Sequence, residues 1–297
     1  MQNGNFVSRN LGGGELRYDV NLSMLFTELP VLQRPAAAAA AGFDAVEFWW
    51  PFDVAVPPDA EVDRFVRAVT DAGVRLVGLN FFAGDMPAGD RGLVSWPGRT
   101  AEFRDAVQVA VGIAAQLGCR AFNALYGNRV DGADPAEQDE LAVENLAFAA
   151  DAASRIDGIV LVEPVSGAPR YPLRTAADAL AVIDRLPRPE TVRLLADLYH
   201  LQVNGDDLDA VVHRLVDRIG HVQIADAPGR HEPGTGSLDI DGSLAKLAAG
   251  GYDGFVGLEY RPTGTSEESF HWLPRERRSS ARPSGRAGRP HREGGQA

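Results

Sequence analysis

The chain is nearly without lysine. Lys246 is the only one among 29 basic residues, and all the others are arginine. A P-loop is excluded, because its lysine must reach the phosphates, and one candidate is left for Schiff-base chemistry. Cysteine is as scarce: Cys119 alone rules out an intramolecular disulfide framework and any Cys-rich zinc or iron–sulfur site. No apolar run approaches the roughly 18–20 residues of a membrane span. No basic start followed by an apolar stretch marks a secretory leader. Positive charge is short as well. The 29 Lys+Arg against 41 Asp+Glu give a net charge of −12, whereas nucleic acids and anionic membranes reward a basic face. These absences point to a cytoplasmic chain with neither nucleic acid nor membrane as its partner.

What is present is a length of 297 residues with 45% apolar content, enough for a sizeable core. Residues 1–16 carry no periodic apolar pattern and read as a flexible leader. Residues 274–297 hold seven Arg and two Glu among Pro, Gly and Ser, a net +5 that leaves −17 for the rest. That composition predicts a disordered Arg-rich tail. The folded body is then expected over residues 17–273 as a single domain.

Within that body, short β-rich runs alternate with longer helical ones, each switch marked by Gly, Pro or Asp. Strands are expected at 18–24, 45–48, 75–79, 121–124, 160–162, 192–196, 221–224 and 255–258. Helices are expected at 30–41, 60–72, 100–117, 137–156, 176–186, 208–216 and 243–249, with a curtailed eighth at 266–273. Pro35 favours a start of the first helix near itself. Eight βα units over about 257 residues predict an α/β fold, a closed (β/α)8 TIM barrel, more than an open doubly wound sheet. No Gly-x-Gly-x-x-Gly follows the first strand, which further disfavours a dinucleotide fold.

Such barrels place their chemistry at the C-terminal ends of the strands. Four consecutive strands there carry an oxygen donor: Glu163, Asp197, Gln223 and Glu259. A carboxylate next to an apolar run is costly to bury alone and needs a cation or a proton. Each could instead pair with Arg or cap the following helix. Together, three carboxylates and an amide oxygen at matched strand ends outline a site for a divalent metal. Their hard oxygens suit Mg²⁺ or Mn²⁺. His200 follows Asp197 by three residues, near the same rim. The loop after strand seven, from Asp226 to Gly236, is rich in Gly and Pro. It would hold Arg230 over the mouth as a two-pronged clamp for a substrate carboxylate. The loop after strand three offers Asp90 and Arg91 in the same way.

These residues resemble the hydroxypyruvate isomerase family of xylose-isomerase-like barrels. The resemblance rests on the run from Tyr18 to Met24, on Glu47-Phe48-Trp49, and on Gly84-Asp85-Met86 with Gly89-Asp90-Arg91-Gly92. It also rests on Glu163-Pro164, on Asp197-Leu198-Tyr199-His200 and on the loop from Gln223 to Gly236. It implies Glu163, Asp197, Gln223 and Glu259 as metal ligands, with Glu163 and Glu259 as the catalytic acid/base pair. It also implies that His200 and Arg230, with Arg91 as a further candidate, bind a small anionic hydroxy-oxo acid. Gln at position 223 is characteristic of this subfamily. Ser237 departs from the Glu often found there, and the last helix is shorter than usual. The activity implied is interconversion of hydroxypyruvate and tartronate semialdehyde, a step of glyoxylate metabolism. A proton would pass between adjacent carbons through an enediolate, aided by the metal, with His200 shuttling a proton between the substrate oxygens or polarising the carbonyl.

The alternatives are an isomerase or epimerase of a related 2-oxo sugar acid, ketose or inosose, and a barrel that binds a sugar acid without catalysis. A DNA-repair endonuclease on this barrel would need a His-rich zinc cluster and a basic groove, against six His and a strongly acidic body. A Schiff-base aldolase would need a lysine at a strand end, and Lys246 falls in a helical run. Assembly into a homo-oligomer is compatible with the sequence.

Overall fold

Helix ends set the rhythm of the chain. Asp134, Thr175, Asp207 and Asp239 each cap a helix by accepting a backbone N–H of its first turn, the usual use of short polar side chains there. Gly73 and Gly118 stop two others in the left-handed conformation, at φ of 69° and 75°, which glycine adopts without strain. Between these stops, every strand carries buried residues on both faces, as a parallel sheet covered by helices requires.

The computed structural model describes residues 16–280. Residues 1–15 of the expected leader (1–16) and residues 281–297 of the expected tail lie outside the described residues. The strands are β1 (Arg17–Asn21), β2 (Ala45–Phe48), β3 (Arg75–Asn80), β4 (Ala121–Asn123), β5 (Ile159–Val162), β6 (Val192–Asp197), β7 (Ile219–Ile224) and β8 (Phe255–Leu258). All pair in parallel in chain order, and β1 pairs with β8, so the barrel is closed. The helices are α1 (Arg34–Ala40), α2 (Asp59–Ala72), α3 (Thr100–Leu117), α4 (Pro135–Ser154), α5 (Ala176–Ile183), α6 (Leu198–Asn204), α7 (Leu208–Arg214) and α8 (Ile240–Ala249). The expected TIM barrel is therefore the fold. Among the described residues, no helix is long and apolar enough to cross a membrane.

Three differences from the sequence reading have physical causes. The first strand stops at Asn21 rather than continuing to 24, because Asn21 turns the chain. Its side chain accepts from Ser23 N at 3.0 Å, and its carbonyl accepts from Met24 N and Leu25 N. Helix α6 starts directly at the end of β6, with Asp197 as its cap, in a stretch read only as a rim. After β8 the short last helix is a single 3₁₀ turn, Glu268–Phe270.

Residues 274–280, read as the start of the tail, lie on the barrel. Arg275 donates to Ala40 O at 2.7 Å, and Arg278 donates to Ala41 O at 2.9 Å. Both thus serve carbonyls at the end of α1. The Arg278 guanidinium also stacks 5.2 Å from the Phe270 ring centre. Ser280 N donates to Asp44 Oδ1 at 3.0 Å. Composition alone misses this, because it counts apolar surface and ignores the unfilled acceptors at a helix end.

Candidate active site

The expected donors meet at the C-terminal mouth of the barrel, and a common pattern governs them. Each carboxylate has one oxygen held by an amide or indole donor and one turned toward Arg230 or His200. On Glu163, at the end of β5, Oε2 accepts from Asn123 Nδ2 at 2.6 Å. On Asp197, Oδ1 accepts from the α6 amides of Tyr199 and His200, at 2.8 and 3.1 Å. On Glu259, just past β8, Oε1 accepts from Trp49 Nε1 at 2.6 Å and from Asn21 Nδ2 at 3.3 Å. Gln223 stands in register with Asp197 and donates its amide nitrogen to Glu47 Oε1 at 2.8 Å.

The second oxygens are Glu163 Oε1, Asp197 Oδ2 and Glu259 Oε2, together with Gln223 Oε1. Gln223 Oε1 is buried with no hydrogen-bond partner, and Glu259 Oε2 is buried with only its ion pair to Arg230. Buried polar atoms normally find a partner, so the Gln223 oxygen marks a place for a ligand. Hard oxygens, three of them from carboxylates, fit a divalent cation such as Mg²⁺ or Mn²⁺. Glu163, Asp197 and His200 also lie close enough together to hold an ion between them.

Arg230 already brings a positive charge to this place. Its Nη2 lies 3.4 Å from Asp197 Oδ2 and 3.1 Å from Glu259 Oε2, and its guanidinium sits 5.4 Å from the Tyr199 ring centre. The loop after β7 presents it. Asp226 accepts from the backbone N–H groups of Ala227, Gly234, Gly236 and Leu238 at 2.8–3.0 Å. Arg230 N donates to Asp226 O at 2.9 Å, and its residue adopts the left-handed region at φ 58°. Gly236 is required here: a Cβ would stand 2.1 Å from Ala227 O.

His200 is fixed in one tautomer. Ser166 N donates to its Nδ1 at 3.1 Å, so that nitrogen is an acceptor and the proton of the neutral ring sits on Nε2. Nε2 faces Asp197 Oδ2 at 3.6 Å and Glu163 Oε1 at 3.9 Å. Burial pulls the imidazole down to about 4, against the pull of Asp197. His200 is therefore a neutral donor at neutral pH. Burial, followed by the neighbouring Asp197, pushes Glu163 up to about 8, while the Asn123 bond works the other way. Glu259 is also raised well above the usual carboxylate range by burial, in spite of Arg230.

A second polar group lies within the barrel. Glu47 Oε2 is 2.8 Å from His221 Nε2, which lies 4.0 Å from Asp19 Oδ2. Burial works to lower His221, but Glu47, with Asp19 and Glu163 behind it, raises the ring to about 8. Asp19, wholly buried, is raised by burial and by Glu47.

The structure thus brings Glu163, Asp197 and His200 within reach of one ion, joins Glu259 to Asp197 through Arg230, and stands Gln223 in register with Asp197. Arg91 stays with its own loop, donating to Met86 O at 3.0 Å and Asp90 O at 2.6 Å. Asp90 braces the same loop by accepting from Asp85 N and Arg99. Sequence reasoning gave no role to Asn21, Trp49, Asn123 or Ser166. Asn21 and Asn123 did carry a signal, as amides at strand ends. Trp49 and Ser166 act through geometry that only the folded barrel supplies.

The xylose isomerase-like TIM barrel family matches residues 35–276. A curated relative from Streptomyces coelicolor, named putative hydroxypyruvate isomerase, is 54% identical over 272 residues, covering 89% of this chain and 98% of its own. The 2-oxo-tetronate isomerase of Cupriavidus necator is 37% identical over 260 residues, covering 86% and 97%. A crystal structure from Brucella melitensis, named AP endonuclease, family 2, superposes with a TM-score of 0.79 at 36% identity, covering 86% of this chain and 97% of that one.

Proposed function

Because the chain belongs to the xylose isomerase-like TIM barrel family and stands there with the hydroxypyruvate isomerases, we propose that it interconverts hydroxypyruvate and tartronate semialdehyde. It is an isomerase of small hydroxy-oxo acids. The observation that supports the reaction proposed is the grouping of Glu163, Asp197 and Glu259 around Arg230 and His200, with Gln223 Oε1 buried and unpaired.

Glu163, Asp197, Gln223 and Glu259 would hold a divalent cation, Mg²⁺ or Mn²⁺, which when bound supplies Lewis acidity toward the adjacent oxygens of the substrate. Arg230 pairs with the substrate carboxylate. Glu163 and Glu259 are the acid/base pair. One takes the proton from C3 to give an enediolate, and the other returns a proton to C2. His200 Nε2–H donates to the substrate oxygen on which charge develops, and as a neutral donor it does not protonate that oxygen prematurely. Substrate attraction comes from Arg230 and the cation, since the chain as a whole is acidic.

The test is conversion of hydroxypyruvate in D₂O with Mg²⁺ or Mn²⁺, following deuterium at C3 and C2 by NMR. Glu163→Gln and Glu259→Gln should each lower kcat by at least about 100-fold, the usual contribution of a positioned acid or base. Parent rates in either variant overturn its assignment. The four-carbon 2-oxo-tetronate is the second substrate to test, because the Cupriavidus necator relative is named for it. Exchange with neither acid would leave a binding barrel without catalysis.

A further inference from the structure

Glu47 has no part in the reaction as written, yet it reaches across the barrel interior from β2 to residues of β7. It is 3% exposed. Three nitrogens converge on its carboxylate: Asn21 Nδ2 at 2.9 Å and Gln223 Nε2 at 2.8 Å on Oε1, and His221 Nε2 at 2.8 Å on Oε2. Strands β3 and β8 are cut away to admit it. At Gly257 on β8 a Cβ would stand 2.8 Å from Glu47 Oε1, and at Gly78 on β3 one would stand 3.1 Å from Oε2. Two glycines inside strands, where glycine is otherwise unfavourable, therefore make room for one carboxylate.

The consequence falls on Gln223. The two ends of an amide are nearly the same shape, so packing alone does not decide which end faces a ligand. A carboxylate only accepts. Glu47 therefore takes the nitrogen end, and the oxygen end is the one left buried without a partner. Asn21 carries the same influence to Glu259. Its amide nitrogen bridges Glu47 Oε1 and Glu259 Oε1, which engages one oxygen of Glu259 and turns Oε2 toward Arg230.

We propose that Glu47 is a positioning residue that turns Gln223 into an oxygen donor and, through Asn21, fixes which oxygen of Glu259 is engaged, so that the mouth binds a hard divalent cation. This rests on the metal reading given above. It predicts coupling between Glu47 and Gln223 that a general structural role would not produce.

The experiment is a double-mutant cycle read by Mn²⁺ affinity, from the EPR signal of free Mn²⁺, on the full chain without substrate. Glu47→Gln keeps the shape but leaves one acceptor oxygen for three donors. It should weaken Mn²⁺ binding by on the order of 10- to 100-fold, as loss of an outer-shell partner does. Gln223→Glu sets two carboxylates face to face and should also bind less tightly than the double variant. The double variant, E47Q/Q223E, restores the pair with donor and acceptor exchanged and should recover most of the affinity. Thermal melts establish that each variant is folded, and if E47Q alone does not fold, Q223E against the double variant decides. Parent-like Mn²⁺ binding by E47Q, or losses that simply multiply in the double variant, overturn the proposal alone. Absence of Mn²⁺ binding by the parent overturns the metal reading and the proposal with it.

Discussion

Replacing Asn123 with alanine should move the pH dependence of the reaction without dismantling the site. The Asn123 amide gives Glu163 Oε2 a hydrogen bond of 2.6 Å, and that bond favours the charged carboxylate. It is one of the influences holding Glu163 down against burial and the charge of Asp197. A hydrogen bond to a charged group contributes about 1.5–3 kcal/mol, and one pKa unit corresponds to about 1.4 kcal/mol. Removing the bond should therefore raise the pKa of Glu163 by about 1–2, toward the lower end where water enters the space vacated. In the direction in which Glu163 acts as base, the rising limb of kcat/KM against pH should move upward by that amount. At a fixed pH below the limb, activity should fall about tenfold for each pH unit that the limb moves.

The fold should tolerate the change. Asn123 Oδ1 is buried with no hydrogen-bond partner, so truncation also removes an unsatisfied acceptor, which partly offsets the lost bond. The assay is kcat/KM across pH for parent and variant at saturating metal. A ¹³C titration of labelled glutamate in chelator-treated protein would read the same group without turnover. A folded variant whose limb and titration stay where the parent's are would refute the view that Asn123 sets the proton affinity of Glu163.

Two further outcomes follow from the geometry. Asp226→Ala removes the acceptor shared by four backbone N–H groups of the loop that carries Arg230. It should destabilise the loop by at least about 1.5–3 kcal/mol, the contribution of one such charged bond. KM should rise more than kcat falls, and proteolysis between residues 227 and 238 should quicken; a loop as resistant as the parent's would sink the argument. Metal-free protein should lose thermal stability as pH rises from 6.5 to 8. In that window Glu163 and His221, both at about 8 when folded, hold protons that the unfolded chain has released. The slope is then negative, up to about 1.4 kcal/mol per pH unit for each proton. Below 6.5 the window is mixed, because His200, at about 4 when folded, contributes stability that grows with pH. A melting temperature that is level or rising between 6.5 and 8 in the presence of chelator would contradict the assignment.

The barrel, and the placing of Glu163, Asp197, Gln223 and Glu259 at its strand ends, were legible in the sequence because both depend on periodic placement. An apolar triplet followed by Glu163, Asp197 or Glu259 reads as a strand ending in a carboxylate wherever it falls. Direction was not legible. Nothing local to Glu259 says that its Oε1 meets Trp49 and Asn21, which are 210 and 238 residues away along the chain. Arg91 and Arg230 looked alike as loop arginines. Only the fold shows one turned back to Met86 O and the other laid between two carboxylates. Residues 274–280 misled for a related reason: Arg275 and Arg278 are anchored by carbonyls at the end of α1, which composition does not register.

The division of each carboxylate into an oxygen held by a fixed donor and one turned toward Arg230 or His200 ties the chemistry to closure of the barrel. With both oxygens free, a buried carboxylate would rotate or take up a proton; with both engaged, it would have nothing left for a ligand. The holding donor comes from a neighbouring element each time. Asn123 on β4 holds Glu163 after β5, the first turn of α6 holds Asp197 on β6, and Asn21 on β1 with Trp49 after β2 holds Glu259 after β8. The last of these exists only because β1 pairs with β8. In an open sheet of the same strand order, β1 and β8 would lie on opposite edges, and Glu259 would lose both donors. Glu47 meets the same condition, since its partners His221 and Gln223 on β7 come within reach only across a closed interior. The fold therefore does more than display loops at its rim: its closure sets the angle at which each oxygen faces the ligand.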